Sequence, residues 1–429
     1  MSIESQIIMA KGSTVDLACT PSRKKDHALR SIIAGLKKGK ANIIRENSKD
    51  VARAIKEGIP NPLIKRLVID DSKFNEMIKG LESIIKLEDP VGKILSSMEL
   101  DKGLILDQVT CPIGVIGTIF ESRPDALVQI ASLCLKSGNA CVLKGGFEAR
   151  NSNRALFRII ETSTKRILPK GWIQLAQTRE DVKRLLKLDQ YIDLIIPRGS
   201  NRFVKYIQSS TKIPVLGHSE GICHIYVDKS ADLRLAQDII IDSKCQYPAA
   251  CNAVETLLIH RDIATKFLPM IVETLRKSSV EVRLEKSAIS SFKISNVKVA
   301  TEKDWRTEYS DLIIAIKVVK DIEEAISHIN TYGSHHTDAI IAKDQKSAGL
   351  FMQKVDSGSV LHNCSTRFAD GFRYGKGAEV GISTYKIHSR GPVGMEGLII
   401  YKYRLKGKGH LVAAYCGAHP KRFTHKRLL

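Results

Sequence analysis

Residues 114–146 read GVIGTIFESRPDALVQIASLCLKSGNACVLKGG. Within this stretch, the apolar run Gly114–Phe120 predicts a buried strand, and Ala140–Leu143 predicts a second, shorter one. Between them, Asp125–Lys136 carries apolar residues at three- and four-residue spacing, which is typical of a helix. A strand, a helix and a strand in this order indicate a parallel βαβ unit, and therefore an α/β fold.

The same alternation continues toward the C-terminus. Further strands are predicted at Ile173–Ala176, Ile192–Ile196, Ile222–Val227, Val254–Ile259, Leu312–Val319 and Ala339–Ala342, and helices at Ala149–Thr162, Glu180–Leu188, Asn201–Gln208, Leu233–Asp242 and Ile322–Ile329. Elsewhere, residues 1–90 are helical in pattern, and Leu104–Thr110 and Leu398–Tyr403 predict strands. This order indicates doubly wound parallel sheets, whose ligands bind beyond the carboxyl ends of the strands.

The composition is that of a globular protein. The chain has 429 residues, of which 43% are hydrophobic and 26% are charged, and this length suits two or three domains. Lys and Arg number 67 against 46 Asp and Glu, which gives a formal net charge of +21. Such a charge is compatible with nucleic-acid binding or with a site for small anions. The basic residues are dispersed and not interleaved with aromatic residues, which disfavours nucleic-acid binding.

The nine cysteines are scattered and contain no CxxC pair. This pattern disfavours a disulfide framework and a zinc site, and it suits free thiols in a reducing compartment. No apolar run approaches the ~18–20 residues that a membrane span needs, and the N-terminus lacks the features of a secretory signal. We therefore expect a cytoplasmic protein that uses no metal ion.

Two turns have residues suited to phosphate groups, although a GxGxxG fingerprint and a P-loop are absent. Gly199 and Ser200 follow a predicted strand and open a helix, where free amides and a hydroxyl can bind an anion. Lys144 leaves a buried strand into the flexible turn Gly145–Gly146. Each segment is equally compatible with an ordinary turn between a strand and a helix.

Cys251 is the candidate nucleophile. It lies in the segment PAACNA (residues 248–253), whose small residues let a substrate reach the sulfur and whose amides can stabilise a thiolate or an oxyanion. A buried free thiol would explain the same residues. After the predicted strand Ser359–Leu361, the loop NCSTRFADG (residues 363–371) offers side chains that could clamp a carboxylate; a solvated loop is the alternative.

Together these segments resemble one family. The runs are CPIGVIGTIFESRPDAL, LKGG, IDLIIPRGS, VLGHSEGICHIYVD, DSKCQYPAACNAVETLLIH, TEYSDL, YGSHHTDAI and STRFADGFRYGKGAEVGISTYKIHSRGPVGMEGL. They are similar to the gamma-glutamyl phosphate reductases, or glutamate-5-semialdehyde dehydrogenases, of the aldehyde dehydrogenase superfamily. They are also close to the reductase half of the pyrroline-5-carboxylate synthases. The resemblance covers nearly the whole chain.

The resemblance implies an aldehyde dehydrogenase-like α/β fold with two doubly wound parallel-sheet domains and a small β oligomerisation flap. We expect residues 1–229 to form the NADPH-binding domain, with residues about 104–120 contributing to the flap. Residues 230–362 would form the catalytic domain that carries Cys251. Residues 363–429 would supply the substrate loop, a return to the cofactor domain and an oligomerisation tail.

The resemblance also implies roles for single residues. Cys251 matches the family's catalytic cysteine. The expected cofactor-binding residues are Lys144 near the adenosine ribose, Gly199 and Ser200 on the phosphate side, and Glu308 at the nicotinamide ribose. The expected substrate-binding residues are Arg123, Asn252, Ser365, Thr366 and Arg367. Arg123 or Arg367 could meet the acyl phosphate or the carboxylate, since arginine offers bidentate donors, and the choice between them stays open.

Three departures accompany the resemblance. Hydrolytic aldehyde dehydrogenases activate water with a glutamate, whereas Glu220 in the segment LGHSEG (residues 216–221) is out of register, which fits a reductase. The oxyanion-side asparagine of the superfamily has no clear match within residues 119–124. Cys364 stands where family members usually have alanine, a small change that we expect to be tolerated.

The implied activity is the NADPH-dependent reduction of L-glutamate 5-phosphate to L-glutamate 5-semialdehyde and phosphate through a Cys251 thioester, the second step of proline biosynthesis from glutamate. The alternatives are a CoA-acylating or hydrolytic aldehyde dehydrogenase, or a basic nucleic-acid-binding protein. We expect a homo-oligomer that binds neither nucleic acid nor membrane. A glutamate 5-kinase would be a separate chain that docks with it.

Overall fold

The computed structural model describes residues 2–218 and 220–429. The chain begins with four helices, and the first two strands follow them. Their bounds are α1 (Ile3–Ala18), α2 (Ser22–Lys56), α3 (Asn61–Leu67), α4 (Asp71–Lys86), β1 (Ile94–Asp101) and β2 (Leu104–Pro112). No helix in these two ranges is long and apolar enough to cross a membrane.

A four-stranded parallel sheet follows, with the strand order β5-β4-β3-β6. Its strands are β3 (Val115–Phe120), β4 (Ala140–Lys144), β5 (Ile173–Leu175) and β6 (Leu194–Arg198), and its helices are α5 (Pro124–Lys136), α6 (Arg150–Thr164), α7 (Arg179–Leu185) and α8 (Asn201–Ser209). Every residue of β3 is buried, which explains why its sequence is a continuous apolar run rather than an alternating one.

A seven-stranded parallel sheet forms the second half of the molecule, with the order β10-β9-β11-β8-β7-β12-β13. Its strands are β7 (Cys223–Val227), β8 (Val254–His260), β9 (Glu281–Leu284), β10 (Lys298–Val299), β11 (Ile313–Val319), β12 (Thr337–Ile341) and β13 (Ser359–His362). Its helices are α9 (Leu233–Cys245), α10 (Arg261–Lys277), α11 (Lys286–Phe292), α12 (Ile322–Tyr332) and α13 (Gln345–Lys354).

The last strands are antiparallel. β14 (Gly381–Ser383) pairs with β15 (Gly391–Val393), and β16 (Ile399–Lys406) joins a second sheet that ends with β17 (Lys426–Arg427). That second sheet has the order β16-β2-β1-β17, so the flap joins residues 94–112 to the C-terminal strands. The predicted parallel sheets and the flap are therefore both present.

Helix α2 packs closely on α6 and also contacts α4 and α5. Its apolar side chains Leu29, Ile32, Leu36 and Ile43, at three- and four-residue spacing or multiples of it, are buried. Gly35 and Gly39 face α6: a Cβ at Gly35 would lie 2.3 Å from Oγ of Ser163, and one at Gly39 would lie 2.6 Å from Cδ1 of Ile159. The two glycines therefore allow a close approach that a larger residue would prevent.

The expected boundary between residues 229 and 230 is corrected by the sheet order. β7 precedes that boundary, yet it pairs with β8 and β12 inside the seven-stranded sheet. The catalytic domain therefore begins before Cys223.

The expected extent of the flap is also corrected. Of residues 104–120, β2 lies in the antiparallel sheet, whereas β3 pairs with β4 and β6 in the first parallel sheet. The chain changes sheet at Gly114, whose φ of +131° suits glycine.

Candidate active site

Cys251 lies in the turn between α9 and β8, at the amino end of the seven-stranded sheet. The carbonyl oxygen of this residue accepts a hydrogen bond from Sγ of Cys223 at 3.2 Å. A Cβ at Gly221 would lie 2.1 Å from the same oxygen, so only glycine lets the two segments approach this closely. These contacts fix the backbone of a thiol that is itself partly exposed.

Two histidines are brought to the thiol. A ring nitrogen of His218, a ring nitrogen of His336 and Sγ of Cys251 lie within 4.8 Å of one another. The two rings pack edge to face with centroids 4.8 Å apart. Neither histidine was among the predicted site residues, although both lie in the quoted runs HSEGICH and GSHH. Because the two histidines are more than a hundred residues apart in the chain, local sequence patterns do not predict their contact.

Two arginines, Arg198 and Arg367, interact electrostatically with Cys251. The guanidinium of Arg198, at the end of β6, makes no hydrogen bond to any residue in the described ranges, and burial together with the Arg123 charge lowers its pKa. The pKa of Arg367 is lowered by burial and by Arg373, and the Cys251 charge acts on both Arg198 and Arg367. Arg198 directly precedes Gly199 and Ser200 of the predicted phosphate-binding turn, but it was not among the predicted substrate-binding residues.

Both predicted arginines, Arg123 and Arg367, have protein partners. Arg123 is half exposed and pairs with Asp125 at 3.1 Å. Nε of Arg367 donates to Oε1 of Gln246 at 2.9 Å. Both side chains can still present nitrogen atoms to an anion, because each guanidinium carries five donors.

Three predicted substrate residues, Asn252, Ser365 and Thr366, are buried and contact other residues of the protein. Nδ2 of Asn252 donates to the carbonyl of Ala369 at 2.9 Å, and the hydroxyls of Ser365 and Ser243 are 3.1 Å apart. Thr366 is fully buried, and its amide donates to Oγ of Ser243. Ser365 and Thr366 thus hold the substrate loop against Ser243 of α9, and direct contact of the three residues with substrate stays a prediction.

Glu220 points to Lys205, with Oε1 of the glutamate 2.5 Å from Nζ of the lysine. A carboxylate neutralised in this way is poorly placed to activate water at Cys251. That Glu220 is out of register with the glutamate of hydrolytic relatives stays a prediction.

Lys144 and a neighbouring cavity form the candidate adenosine side of a cofactor site. The cavity, of about 340 Å³, opens at the carboxyl ends of β4 and β5 and is lined by residues that include Gly145, Gly146, Arg150, Arg154, Ala176 and Thr178. Burial lowers the pKa of the Lys144 ammonium, while Glu148 raises it and Arg179 lowers it. The volume of the cavity, the glycines at its rim and its two arginines fit the nucleoside half of a phosphorylated cofactor.

The phosphate turn and the nicotinamide side lie next to each other. Nδ2 of Asn201, the first residue of α8, is 3.3 Å from Oε2 of Glu308. The amide of Ser200 donates to Oε2 of Glu121 at 3.1 Å. Glu308 therefore lies at the helix that Gly199 and Ser200 open, and a carboxylate of the protein itself uses one of the amides expected at the phosphates.

Comparison with known proteins agrees with this architecture. The aldehyde dehydrogenase family model matches residues 36–305. The gamma-glutamyl phosphate reductase of Acetivibrio thermocellus is 54% identical and aligns over 100% of this chain and 99% of its own length. That of Pelotomaculum thermopropionicum is 55% identical, over 97% and 96% respectively.

A solved structure agrees equally well. The crystal structure of gamma-glutamyl phosphate reductase from Thermotoga maritima is 40% identical, with a TM-score of 0.93 over 96% of this chain and 100% of that one. The match therefore covers both parallel sheets and the flap. On its sequence and its fold, the chain belongs to the aldehyde dehydrogenase family and, within it, to the gamma-glutamyl phosphate reductases.

Proposed function

We propose that this chain reduces L-glutamate 5-phosphate to L-glutamate 5-semialdehyde and phosphate with NADPH, the second step of proline biosynthesis from glutamate. The observation that carries the proposal is Cys251, a partly exposed thiol whose charge acts on Arg198 and Arg367, while Glu220 is paired with Lys205. An activated acyl phosphate needs a nucleophile and positive charge, but no base that activates water.

Cys251 carries the covalent steps. Its thiolate attacks the carbonyl carbon of the acyl phosphate, and phosphate departs with the electrons of the broken C–O bond, leaving a thioester. NADPH, when bound, supplies the hydride that reduces the thioester carbon. The backbone amide of Cys251 makes no hydrogen bond in the described part of the chain, so it is free to donate to the oxyanion that forms. Collapse of that oxyanion releases the aldehyde and returns the thiolate.

The aldehyde dehydrogenase family uses a nicotinamide cofactor. The choice of NADPH over NADH is part of the proposal, and it is supported by the basic residues of the 340 Å³ cavity. Lys144, Arg150 and Arg154 would meet the 2′-phosphate and adenosine, because that phosphate is the charge by which the two cofactors differ. Gly199 and Ser200 would hold the phosphate side, and Glu308 the nicotinamide ribose.

The proposed partners follow from the surface. The flap strand β16 exposes Ile400, Tyr401, Tyr403 and Leu405, and such an apolar edge suits a second copy of this chain. Docking of a separate glutamate 5-kinase is proposed as well, since the acyl phosphate is a reactive substrate.

We also propose a cytoplasmic location, because the nine cysteines are free thiols, which suits a reducing compartment.

The reverse reaction tests the function. With glutamate semialdehyde and NADP⁺, we expect NADPH absorbance to rise when phosphate or arsenate is added, and to stay low without it. Without the carboxylate that activates water in hydrolytic relatives, the thioester should hydrolyse ~100- to 10,000-fold more slowly than with it. Glu220→Gln should leave the phosphate-dependent rate nearly unchanged. Brisk formation of glutamate without phosphate would identify a hydrolytic aldehyde dehydrogenase, and dependence on coenzyme A in place of phosphate would identify an acylating one.

A further inference from the structure

The imidazole of His218 is the basic group that the geometry brings to Cys251. A ring nitrogen of His218 and Sγ of Cys251 are within 4.8 Å of each other. This distance is longer than a direct hydrogen bond and is within reach of one bridging water or a small side-chain rotation. Glu220, in the segment where hydrolytic relatives have their water-activating glutamate, is paired with Lys205 instead.

The tautomer of His218 follows from its partner. Nδ1 is 2.9 Å from the carbonyl oxygen of Ile382 on β14, and a carbonyl oxygen only accepts hydrogen bonds. Nδ1 therefore carries the proton, and Nε2 of the neutral ring has a free lone pair. Nε2 makes no hydrogen bond within the described ranges of the chain, so that lone pair is available to an incoming proton.

His336 is less suited to the same task. It is 1% exposed, and its Nδ1 is 2.9 Å from the hydroxyl of Thr337, so the second imidazole is enclosed within the protein. His218 is partly exposed. Its edge-to-face contact with His336 fixes the plane of its ring.

We propose that His218 accepts the thiol proton of Cys251 on Nε2 and then passes it to the departing phosphate, as the general base and acid of this reaction. This inference rests on the proposed function and names a catalytic residue for it.

The proton balance is closed. His218 takes the proton as the thiolate forms, and its imidazolium then passes that proton to the departing phosphate, which leaves as HPO₄²⁻. Hydride addition and collapse of the oxyanion regenerate the thiolate, which takes a proton from solvent through His218. One proton from solvent is consumed for each turnover, as reduction of an acyl phosphate by NADPH requires.

Several groups act on the charge of His218. Burial lowers the pKa of its imidazole, which keeps the ring neutral and able to accept a proton. The ionisable groups that face it are His336, Cys251, Glu308, Glu379 and Arg198. Glu308 and Glu379 favour the imidazolium once it forms, and Arg198 opposes it.

The test measures the alkylation rate of the Cys251 thiol in the absence of substrate. In His218→Gln, the glutamine amide can still donate to the Ile382 carbonyl, but it accepts no proton near neutral pH. Alkylation of Cys251 by iodoacetamide, followed by mass spectrometry of its peptide from about pH 6 to about pH 9, should be about tenfold slower at neutral pH. The midpoint of rate against pH should rise by about one unit.

His335→Gln is the matched control, because its ring nitrogen also donates to a carbonyl, that of Asp356. We expect it to leave Cys251 alkylation unchanged. An unchanged rate and midpoint in a folded His218→Gln variant would overturn the proposal, as would a larger loss in His336→Gln. If His218→Gln does not fold, His218→Ala is used with added imidazole. Faster alkylation on adding imidazole supports the proposal, and no response counts against it.

The two proposals fail separately. Alkylation requires neither phosphate nor cofactor, so it reports on His218 even if the wild-type chain lacks the phosphate-dependent reaction. An active wild-type enzyme whose His218→Gln variant alkylates normally would leave the proposed function intact and remove only the role of His218.

Discussion

Oε2 of Glu121 accepts a hydrogen bond from the backbone amide of Ser200 at 3.1 Å, where α8 begins. A Cβ at Gly199 would lie 2.5 Å from the same carboxylate oxygen, so the glycine is needed for this approach. The N-terminus of a helix is a site for anions, and in this structure the chain's own carboxylate lies there. Cofactor phosphates expected at Gly199 and Ser200 must therefore compete with Glu121.

Glu121→Gln should strengthen cofactor binding. The substitution removes a negative charge from the phosphate site while it keeps a side chain of the same size. We expect the dissociation constant for NADPH, from quenching of protein fluorescence, to fall about three- to tenfold at low ionic strength and less at high salt. Weaker binding would contradict this expectation and would make Glu121 a cofactor ligand instead.

Cys251→Ser should bind NADPH and lose turnover by several orders of magnitude. A serine hydroxyl ionises far less readily than a thiol and is a poor nucleophile without strong activation. The measurement is the phosphate-dependent rate, with cofactor binding as evidence of folding. Cys416→Ala, at an exposed cysteine of the C-terminal tail, is the control and should keep the wild-type rate. Near-normal turnover of Cys251→Ser would remove the thioester from the mechanism.

Lys144→Ala should raise the Michaelis constant for NADPH more than that for NADH, by about tenfold for NADPH. The lysine ends β4 beside the basic cavity, and only NADPH has the additional phosphate. Arg154→Ala tests the cavity wall in the same way. Lys165→Ala, at the other end of α6 from Arg150, should affect neither constant. Equal losses for both cofactors would assign Lys144 to the ribose.

Arg198→Met and Arg367→Met should separate the phosphate from the carboxylate. Arg198 has no hydrogen-bonded partner within the described ranges, so its guanidinium donors are free to bind a phosphate dianion, although Glu379 and Asp125 act on its charge. In the reverse reaction we expect Arg198→Met to raise the Michaelis constant for phosphate about tenfold or more. Arg367→Met, in the substrate loop, should instead raise that for glutamate semialdehyde. The opposite result would exchange the two assignments.

The fold was predictable where strands are buried on both faces. Apolar runs such as those at β3, β4 and β8 can be predicted as strands without knowing which strands they pair with. The reason is that burial on both faces of a parallel sheet favours continuous apolar, β-branched sequence. The short strands β10 and β17 were missed, since both are only two residues long and exposed, and β17 pairs with β1, which is distant in sequence. The domain boundary was misplaced because composition does not change where the chain passes from one sheet to the other.

The candidate site was predictable only in part, for a related reason. Cys251 is recognisable from its small neighbours, which are local in sequence. His218, Arg198 and His336 approach it from segments far apart in the chain, so their meeting depends on how the two sheets pack. Asn252 carries a polar side chain beside the nucleophile, yet it turns to the carbonyl of Ala369, and no local pattern reveals that orientation.

The ion pair between Lys244 and Glu255 links α9 to β8 around the turn that carries Cys251. Nζ and Oε2 are 2.6 Å apart, and the two side chains are 0% and 1% exposed. Lys244→Met would leave a carboxylate buried without its partner, which should cost about 3–5 kcal/mol of the free energy of unfolding at pH 8. An exposed pair, Lys277 with Glu273, offers the control Lys277→Met, which should change stability little.

The cost of Lys244→Met should depend on pH in a definite direction. Burial raises the pKa of Glu255 to about 7 even beside Lys244, and loss of the lysine raises it further. In the unfolded chain a glutamate titrates near about 4.3, so the folded variant binds the additional proton as the pH falls through neutrality. A protonated Glu255 needs no ion pair, and the folded state gains stability relative to the unfolded one. The difference between wild type and variant in urea unfolding should therefore shrink from pH 8 to pH 6. An equal or larger difference at pH 6 would show that packing of the Lys244 side chain, rather than its charge, holds this turn.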